Sequence, residues 1–177
     1  MQLDELLAKL SERFDAERFQ SSQFRDNRRI VCPAQLAYEL LQYLKEDCGF
    51  DMLVDVTAID YSQYPRSMPG RFCLLYSLAS TTANERLFVQ VYLQGDSPSV
   101  RSVTALWHAA NWLEREVYDM FGIRFEGHPN LRRILLPEAF GEHPLRKDYP
   151  LRGRGERHNF PVITREREER AAGLDVH

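Results

Sequence analysis

Apolar residues recur at the three- and four-residue spacing of a helix in three stretches of the chain, which predicts three amphipathic helices. The first stripe consists of Leu3, Leu6, Leu7, Leu10 and Phe14. The second consists of Leu36, Ala37, Leu40, Leu41 and Leu44, and the third of Leu113, Val117 and Phe121. Pro33 suits the first position of the second helix, and Gly49 and Gly122 suit the ends of the second and third. In the third helix, Arg115 and Asp119 lie one turn apart and are predicted to pair.

Alternation of apolar and other residues, bounded by turn residues, predicts a set of strands in the first two thirds of the chain. The strands predicted in this way are 28–32, 50–61, 71–80 and 86–93, with a short strand or turn over 99–108. A further strand is predicted around 18–25, as part of the polar stretch 15–27. The connector at 82–84 is short, so the strands 71–80 and 86–93 are predicted to form an antiparallel hairpin. Helices that flank a small, mostly antiparallel sheet predict an α+β two-layer domain over residues 1–121.

From residue 122 onward the helical pattern stops and prolines recur at near-regular intervals. They are Pro129, Pro137, Pro144 and Pro150. Each proline removes a backbone donor and biases the residue before it toward extended geometry. The apolar and aromatic residues between the prolines are too many for an ordinary solvated linker. The sequence therefore predicts an extended, proline- and arginine-rich C-terminal arm over 122–177, which lies on the surface of its own domain or of a partner.

Composition narrows the function classes. The chain has 177 residues, 44% of them hydrophobic, and a formal net charge of −3 that gives no global basic field for nucleic acid. Cys32, Cys48 and Cys73 lack any paired spacing and predict free thiols in a reducing compartment, not a disulfide framework, zinc site or iron–sulfur cluster. No stretch approaches the roughly 20 apolar residues of a membrane span, and the N-terminus is typical of an amphipathic helix and not of a signal peptide. Any membrane association is therefore expected to run through partners.

The stretch 111–151 is the densest run of charge, aromatics and proline in the chain, and it carries several motifs in a fixed order. They are Glu114-Arg115-Glu116, Asp119-Met120-Phe121-Gly122-Ile123, Phe125, Gly127-His128-Pro129, Leu131-Arg132-Arg133-Ile134-Leu135 and His143-Pro144-Leu145-Arg146-Lys147-Asp148-Tyr149-Pro150-Leu151. This series resembles the C subunit of respiratory complex I, the proton-pumping NADH–quinone oxidoreductase. So many matches in order are far more specific than one short motif. One departure is Glu142, which stands between Gly141 and His143 where the family usually has glycine directly before the histidine.

The resemblance implies a non-catalytic subunit of the peripheral arm, with no catalytic, cofactor-binding or metal-binding residue on this chain. The holoenzyme that it implies uses FMN, iron–sulfur clusters, NADH and quinone. The implied partners are the quinone-site subunit (the D subunit of that complex) and the neighbouring iron–sulfur subunits, on the cytoplasmic side of the bacterial inner membrane. The subunit interface is expected at Glu114, Arg115, Glu116, Asp119, His128, Leu131, Arg132, Arg133, His143, Arg146, Lys147, Asp148 and Tyr149. On this interpretation Arg133→Glu weakens assembly and leaves the fold of the domain nearly unchanged.

Three alternatives stay open. The first is the equivalent subunit of a related membrane-bound hydrogenase or ferredoxin-dependent complex. The second is a stand-alone metal-dependent hydrolase that uses Glu114, Glu116, Asp119, His128 and His143. No His-Glu-x-x-His or similar ligand spacing supports it, and a histidine before proline is more often bonded to a backbone carbonyl than to a metal. The third is an RNA-binding module that uses the arginines of the arm, although acids and apolar residues among them favour a protein interface.

Overall fold

The computed structural model of the chain describes residues 3–14 and 19–155, so the predicted tail beyond residue 155 lies outside the described residues. Its α-helices, within those residues, are α1 (Leu3–Arg13), α2 (Ala37–Glu46) and α3 (Ala110–Phe121). All three predicted helices are confirmed. A 3-10 turn at Ala34–Leu36 precedes α2, so the chain after Pro33 winds more tightly before the helix begins.

Five strands form the main sheet. They are β1 (Gln20–Phe24), β2 (Asn27–Cys32), β3 (Met52–Asp60), β4 (Phe72–Ser80) and β5 (Glu85–Leu93). Their order across the sheet is β1-β2-β5-β4-β3. The predicted hairpin of β4 and β5 is confirmed, with Leu74 opposite Val91 and Asn84 at a positive φ of 51° in the turn.

The sheet is mixed. The pairs β1–β2, β3–β4 and β4–β5 are antiparallel, whereas β2 and β5 run parallel. The predicted α+β class is therefore confirmed, and the prediction of a mostly antiparallel sheet misses one parallel pair. Parallel neighbours need a crossover connection, which here contains α2, β3 and β4. Alternation along β2 indicates a strand but carries no information about that distant partner.

The helices cover one face of this sheet. Leu10 of α1 and Leu40 of α2 lie at most 1% exposed, as do Leu74 of β4 and Val89 of β5. These side chains belong to one continuous hydrophobic core. Burying several leucine-sized side chains, each worth about 1.5–3 kcal/mol, gives this layer its stability. α3 packs against β3 of the same sheet.

A second, smaller sheet joins the chain segments that precede and follow α3. β6 (Ser99–Arg101) precedes the helix and pairs in parallel with β7 (Arg124–Glu126), which follows it. Val100 lies opposite Phe125, and both side chains are buried. The predicted division between a domain over 1–121 and an arm over 122–177 stays a prediction, although β7 lies beyond that boundary. A 3-10 turn at Glu138–Phe140 is the last element before residue 155.

Candidate partner-binding site

The last turn of α3 holds the arm through one carboxylate. Asp119 is fully buried, and its Oδ1 lies 2.7 Å from Nη1 of Arg133. Its Oδ2 accepts hydrogen bonds from three successive backbone amides, those of Ile134, Leu135 and Leu136, at 3.0, 2.8 and 2.9 Å. Burial alone would raise the pKa of Asp119, but these donors outweigh it and hold the pKa below the ordinary aspartate value. An ionised Asp119 therefore fixes the backbone of 134–136 against the helix.

Two buried arginines complete this contact. Arg133 also donates from Nη1 to the carbonyl oxygens of Asp119 at 3.3 Å and Glu142 at 2.9 Å. Arg115 of α3 donates from Nε to the carbonyl of Arg132 at 3.1 Å and from Nη2 to that of Arg133 at 3.0 Å. The predicted pair of Arg115 with Asp119 is therefore wrong, because each side chain binds the arm instead of its neighbour on the helix.

Gly122 lets the arm approach the end of α3. Its φ of 73° lies in the left-handed region, and its amide donates to the carbonyl of Tyr118 at 2.8 Å, so the predicted glycine cap is confirmed. A Cβ at this position would lie 2.5 Å from Nε2 of His143 and 2.6 Å from Nη2 of Arg146. Arg146 donates from Nε to the carbonyl of Phe121 at 2.5 Å. Glycine is therefore needed here for conformation and for space.

A second carboxylate holds the arm further along. Asp60, at the end of β3, is 4% exposed, and its Oδ2 accepts from the backbone amide of Lys147 at 2.9 Å. Arg71 lies between Asp60 and Asp148, with Nη2 at 3.4 Å from the first and 2.7 Å from the second. Burial raises the pKa of Asp60, but its hydrogen bonds with Lys147, Ser62 and Arg71 lower it further than burial raises it. The arm is therefore anchored at two separate carboxylates.

Glu114 lies on the opposite side of α3 and binds the strand before the helix. It is fully buried, and it accepts from Oγ of Ser102 at 2.6 Å and from the amide of Val103 at 2.7 Å. Burial raises the pKa of Glu114 to about 7, against the opposing effect of these two donors. A buried carboxyl of raised pKa occurs at many catalytic centres. Here its hydrogen bonds tie α3 to the end of β6.

The two histidines of the arm bind backbone carbonyls, as their positions before proline predict. His128 contacts the carbonyl of Asn111 through Nε2 at 3.1 Å, and its Nδ1 accepts from the amide of Asn130 at 3.0 Å. His143 contacts the carbonyl of Asp119 through Nδ1 at 3.0 Å. Burial is the main cause that lowers the pKa of both rings. The lowered pKa favours the neutral form of each imidazole, and the hydrogen bonds fix the orientation of both rings.

The residues predicted for the subunit interface fall into two groups in the structure. Those with internal contacts are Glu114, Arg115, Asp119, His128, Arg133, His143 and Arg146, with Leu131 packed on the core and Tyr149 6.0 Å from Phe140 between ring centres. The exposed ones are Glu116, Arg132, Lys147 and Asp148. Of these, Asp148 also pairs with Arg71, and Lys147 is bonded to Asp60 through its backbone amide. These contacts are all within one chain, so the interface role of both groups stays a prediction.

Sequence analysis missed four residues that matter to this site. Asp60 and Arg71 lie far from the motif-rich stretch, and nothing in their own neighbourhood marks them as anchors. Leu135 and Leu145 are 61% and 50% exposed. A signal for Leu135 exists in the apolar run 134–136, because an extended segment that lies on a surface cannot bury three successive apolar side chains.

The residues proposed for a metal hydrolase do not form a ligand set in the structure. Within residues 3–14 and 19–155, no group of three or more His, Cys, Asp or Glu side chains could hold a metal ion. Glu114 and Asp119 bind different partners on opposite sides of α3. The free cysteines are Cys32, Cys48 and Cys73, as predicted, and the first and last are buried.

The fold and the clamped arm together define a class of protein, an α+β chain that binds its own C-terminal segment across the end of one helix. The family model of the respiratory-chain NADH dehydrogenase 30 Kd subunit matches residues 30–155. The chain therefore belongs to this family, and the match runs from within β2 to the end of the described residues. Among the described residues, no helix combines the length and the apolar character that crossing a membrane requires.

Individual relatives agree with the family. The chain is 47% identical over 127 residues to NADH-quinone oxidoreductase subunit 5 of Thermus thermophilus. The aligned region covers 69% of this chain and 61% of that protein. It is 42% identical over 147 residues to the C subunit of the NADH-quinone oxidoreductase of Trichlorobacter lovleyi. This aligned region covers 83% of this chain and 89% of that protein. The chain thus spans about three fifths of the Thermus relative and nearly all of the Trichlorobacter one.

Two solved structures resemble the fold. A trypsin-resistant fragment of Nqo5 superposes with a TM-score of 0.66 at 37% identity, covering 74% of this chain and all of the fragment. A chain of the membrane-bound sulfane sulfur reductase, an archaeal respiratory membrane complex, superposes with a TM-score of 0.72 at 23% identity over 92% of this chain and 93% of its own. At that identity the second likeness concerns the fold alone.

Proposed function

We propose that this chain is a non-catalytic structural and assembly subunit in the peripheral arm of a proton-translocating NADH–quinone oxidoreductase. It docks on the quinone-site subunit beside the iron–sulfur subunits, and it supports electron transfer from NADH through the clusters to quinone. Membership of the 30 Kd subunit family supports this proposal, as do the names of the bacterial relatives.

One structural observation carries the non-catalytic part of the proposal. Of the five side chains that the hydrolase alternative would use, all but the exposed Glu116 are engaged in internal hydrogen bonds. Asp119 and His143 hold the arm, His128 holds the carbonyl of Asn111, and Glu114 holds the end of β6. A general acid or base must have a proton-transfer atom within reach of substrate. Groups committed to the backbone of their own chain serve as supports.

On this proposal the chain holds no cofactor of its own. FMN, the iron–sulfur clusters, NADH and quinone belong to other subunits of the holoenzyme. The chain lies on the cytoplasmic side of the bacterial inner membrane and reaches the membrane only through its partners. Arg132, Lys147, Asp148 and Glu116, which are exposed, are the members of the predicted interface that face outward to meet another subunit.

The test is affinity purification of the tagged full-length chain from gently solubilised membranes, followed by mass spectrometry and metal analysis. We expect a quinone-site subunit and iron–sulfur subunits in amounts comparable to the tagged chain. We also expect iron that is lost when those partners are washed away. A tagged chain that is recovered alone with a stoichiometric metal would contradict the proposal and favour the hydrolase alternative.

A second candidate is the equivalent subunit of a related membrane-bound hydrogenase or ferredoxin-dependent complex. The chain shares its fold with a chain of the sulfane sulfur reductase, and at 23% identity that likeness supports the fold alone. The same purification separates the two candidates, because the subunits that receive electrons from NADH are present in one complex and absent from the other.

A further inference from the structure

Two hydroxyl groups connect the buried carboxyl of Glu114 to a surface pocket at the start of α3. Oγ of Ser102 donates to Oε2 of Glu114 at 2.6 Å. The same Oγ lies 2.9 Å from Oγ1 of Thr104 and accepts from the amide of Thr104 at 3.2 Å. A hydroxyl has one hydrogen to donate, and that of Ser102 is directed at Glu114, so Thr104 is the donor in the contact between the two hydroxyls. The hydrogen bonds therefore run in one direction, from Thr104 to Glu114.

The outer end of these hydrogen bonds lies in a pocket of about 480 Å³. Thr104 is partly exposed and lines the pocket together with His108, Trp112 and Pro129. His108 and Trp112 are exposed, so the pocket opens to solvent. Its volume is many times the share of about 30 Å³ that one molecule occupies in liquid water. Solvent water therefore reaches Thr104.

The inner end is closed and holds no compensating charge. Ser102 is 5% exposed and Glu114 is 0% exposed, and Glu114 has no ion-pair partner within residues 3–14 and 19–155. The arginines next to these two residues in sequence bind elsewhere, since Arg101 lies over the Tyr38 ring and Arg115 binds the arm. Burial without a cation disfavours the ionised carboxylate, and the pKa of Glu114 is accordingly raised to about 7. Glu114 therefore gains and loses its proton near neutral pH.

The groups that face Glu114 from the main sheet do not compete for this proton. Tyr76 of β4 is fully buried, and burial, the charge of Glu114 and the thiol of Cys32 hold the pKa of Tyr76 well above its usual range. Burial raises the pKa of Cys32 on β2 to about 12. The buried side chains of β3 over 53–58 are apolar. Tyr76 and Cys32 stay protonated at neutral pH, so Glu114 is the member of this cluster that titrates there.

We propose that Glu114 is a reversible proton-binding site that exchanges one proton with solvent in the pocket through the hydroxyls of Thr104 and Ser102. In uptake, a hydronium ion transfers a proton to Oγ1 of Thr104, which passes its own hydrogen to Oγ of Ser102. Ser102 passes its hydrogen to Oε2 of Glu114. Each hydroxyl ends with one hydrogen, the carboxylate becomes a neutral carboxyl, and release reverses the steps. The ligand of this site is a proton, and the inference goes beyond the proposed function without resting on it.

A relay through hydroxyls differs from proton entry by local opening of the fold. Opening must break the 2.7 Å hydrogen bond from the amide of Val103 to Oε1 of Glu114, after which water reaches the carboxyl directly. Its rate is then independent of the Thr104 hydroxyl and rises with denaturant, because opening exposes surface. A relay leaves the Val103 bond closed and needs the hydroxyl of Thr104. The two routes therefore predict opposite responses to a substitution at Thr104 and to a low concentration of urea.

Infrared spectroscopy of the full-length chain measures both the occupancy of the site and the rate of exchange. A protonated carboxyl has a C=O absorption that a carboxylate lacks, and Glu114→Gln identifies the part that belongs to Glu114. We expect this absorption to disappear as the pH rises through about 7. After a rapid pH jump, Thr104→Val is expected to slow its change at least tenfold with little effect on the midpoint, and Thr104→Ser to restore the rate. Thr57→Val, at a partly exposed threonine of β3, is the matched control and should leave the rate unchanged.

Three results would overturn the inference. The first is a Glu114 absorption that does not change between about pH 5 and 9, which would exclude a proton site that titrates near neutrality. The second is an equal rate in Thr104→Val and the unaltered chain, provided that thermal melting shows the variant to be folded. The third applies even if that variant unfolds: a rate in the unaltered chain that rises steeply with urea would assign proton entry to local opening, whereas the relay predicts a nearly constant rate.

Discussion

Asp119 and Arg133 form a 2.7 Å ion pair whose side chains are 0% and 8% exposed. The pair joins the last turn of α3 to the start of segment 133–136 of the arm, whose backbone amides also bind Asp119. Removing one member of a buried pair leaves the other charge without compensation, which typically costs about 3–5 kcal/mol. The contacts of the arm with α3 are therefore part of what stabilises the fold.

Arg133→Ala is accordingly expected to lower the free energy of unfolding of the full-length chain by about 3 kcal/mol, measured by chemical denaturation. Arg132→Ala is the matched control, because Arg132 is the neighbouring arginine and is exposed. We expect it to change stability by less than about 0.5 kcal/mol. From sequence alone, Arg133 is a docking residue whose replacement spares the fold. Equal effects of the two substitutions would support that sequence-based interpretation.

Gly122→Ala tests the close approach of the arm to the helix end. The left-handed conformation costs alanine about 1–2 kcal/mol, and the added Cβ also meets the ring of His143. Gly127→Ala separates the two effects, since Gly127 has a φ of 79° and nothing within 4 Å of the added carbon. We expect Gly122→Ala to destabilise more and to speed amide exchange at Leu145, while Gly127→Ala leaves that amide protected. Identical exchange in both variants would count against a steric role.

Glu114 is predicted to make the free energy of unfolding of the chain depend on pH. Its folded-state pKa of about 7 lies above its ordinary value of 4.5, so the folded state favours the protonated form. This contribution is fully present below about pH 4.5 and is lost as the pH rises through 7. The free energy of unfolding is expected to fall by about 3 kcal/mol across that window.

Glu114→Gln should flatten the dependence, because an amide keeps an acceptor for Val103 and has no charge to bury. Glu116→Gln, an exposed neighbour, should leave the slope unchanged. The measurement is chemical denaturation of the full-length chain at a series of pH values between about 4.5 and 8, the window of the titration. A slope that persists in Glu114→Gln would assign the titration to another group.

The helices follow from the sequence because their apolar stripes are long and regular, as in Leu40 and Leu44 of α2. The pairing of β2 with β5 does not follow from the sequence. The two strands lie more than fifty residues apart along the chain, and alternation is a local signal. β1 lies within the strand predicted around 18–25, although its polar run 20–23 has almost no apolar alternation. Family membership follows from the ordered motifs, which are confirmed by the match over 30–155.

The roles of individual charged residues in the site could not be predicted in the same way. Glu114 is fully buried and Glu116 exposed, although both stand in one Glu-Arg-Glu motif. Arg132 and Arg133 are adjacent arginines that face solvent and Asp119 respectively. What separates the members of each pair is the route of the arm over α3, and that route depends on contacts from residues as distant as Asp60. Composition and motif spacing do not indicate this route.

Asp60→Ala tests whether the second anchor acts separately from the first. The substitution removes the acceptor of the Lys147 amide and one carboxylate beside Arg71. We expect amide exchange over 143–150 to accelerate at least tenfold, while exchange over 134–136 stays slow because Asp119 still holds those amides. Hydrogen exchange of the full-length chain, followed by mass spectrometry of its peptides, resolves the two segments.

Asp55→Ala on the same strand is the control for Asp60→Ala, because Asp55 is exposed and its loss should leave both segments protected. Lowering the pH should weaken the hydrogen bonds of Asp60 and of Asp119 to the arm together. The folded-state pKa values of Asp60 and Asp119 are depressed, so their contribution is present above the ordinary aspartate pKa of 3.8 and is lost as the pH falls below it. If Asp60→Ala loosens 134–136 as much as 143–150, the two carboxylates hold one cooperative unit, and the arm docks or detaches as a whole.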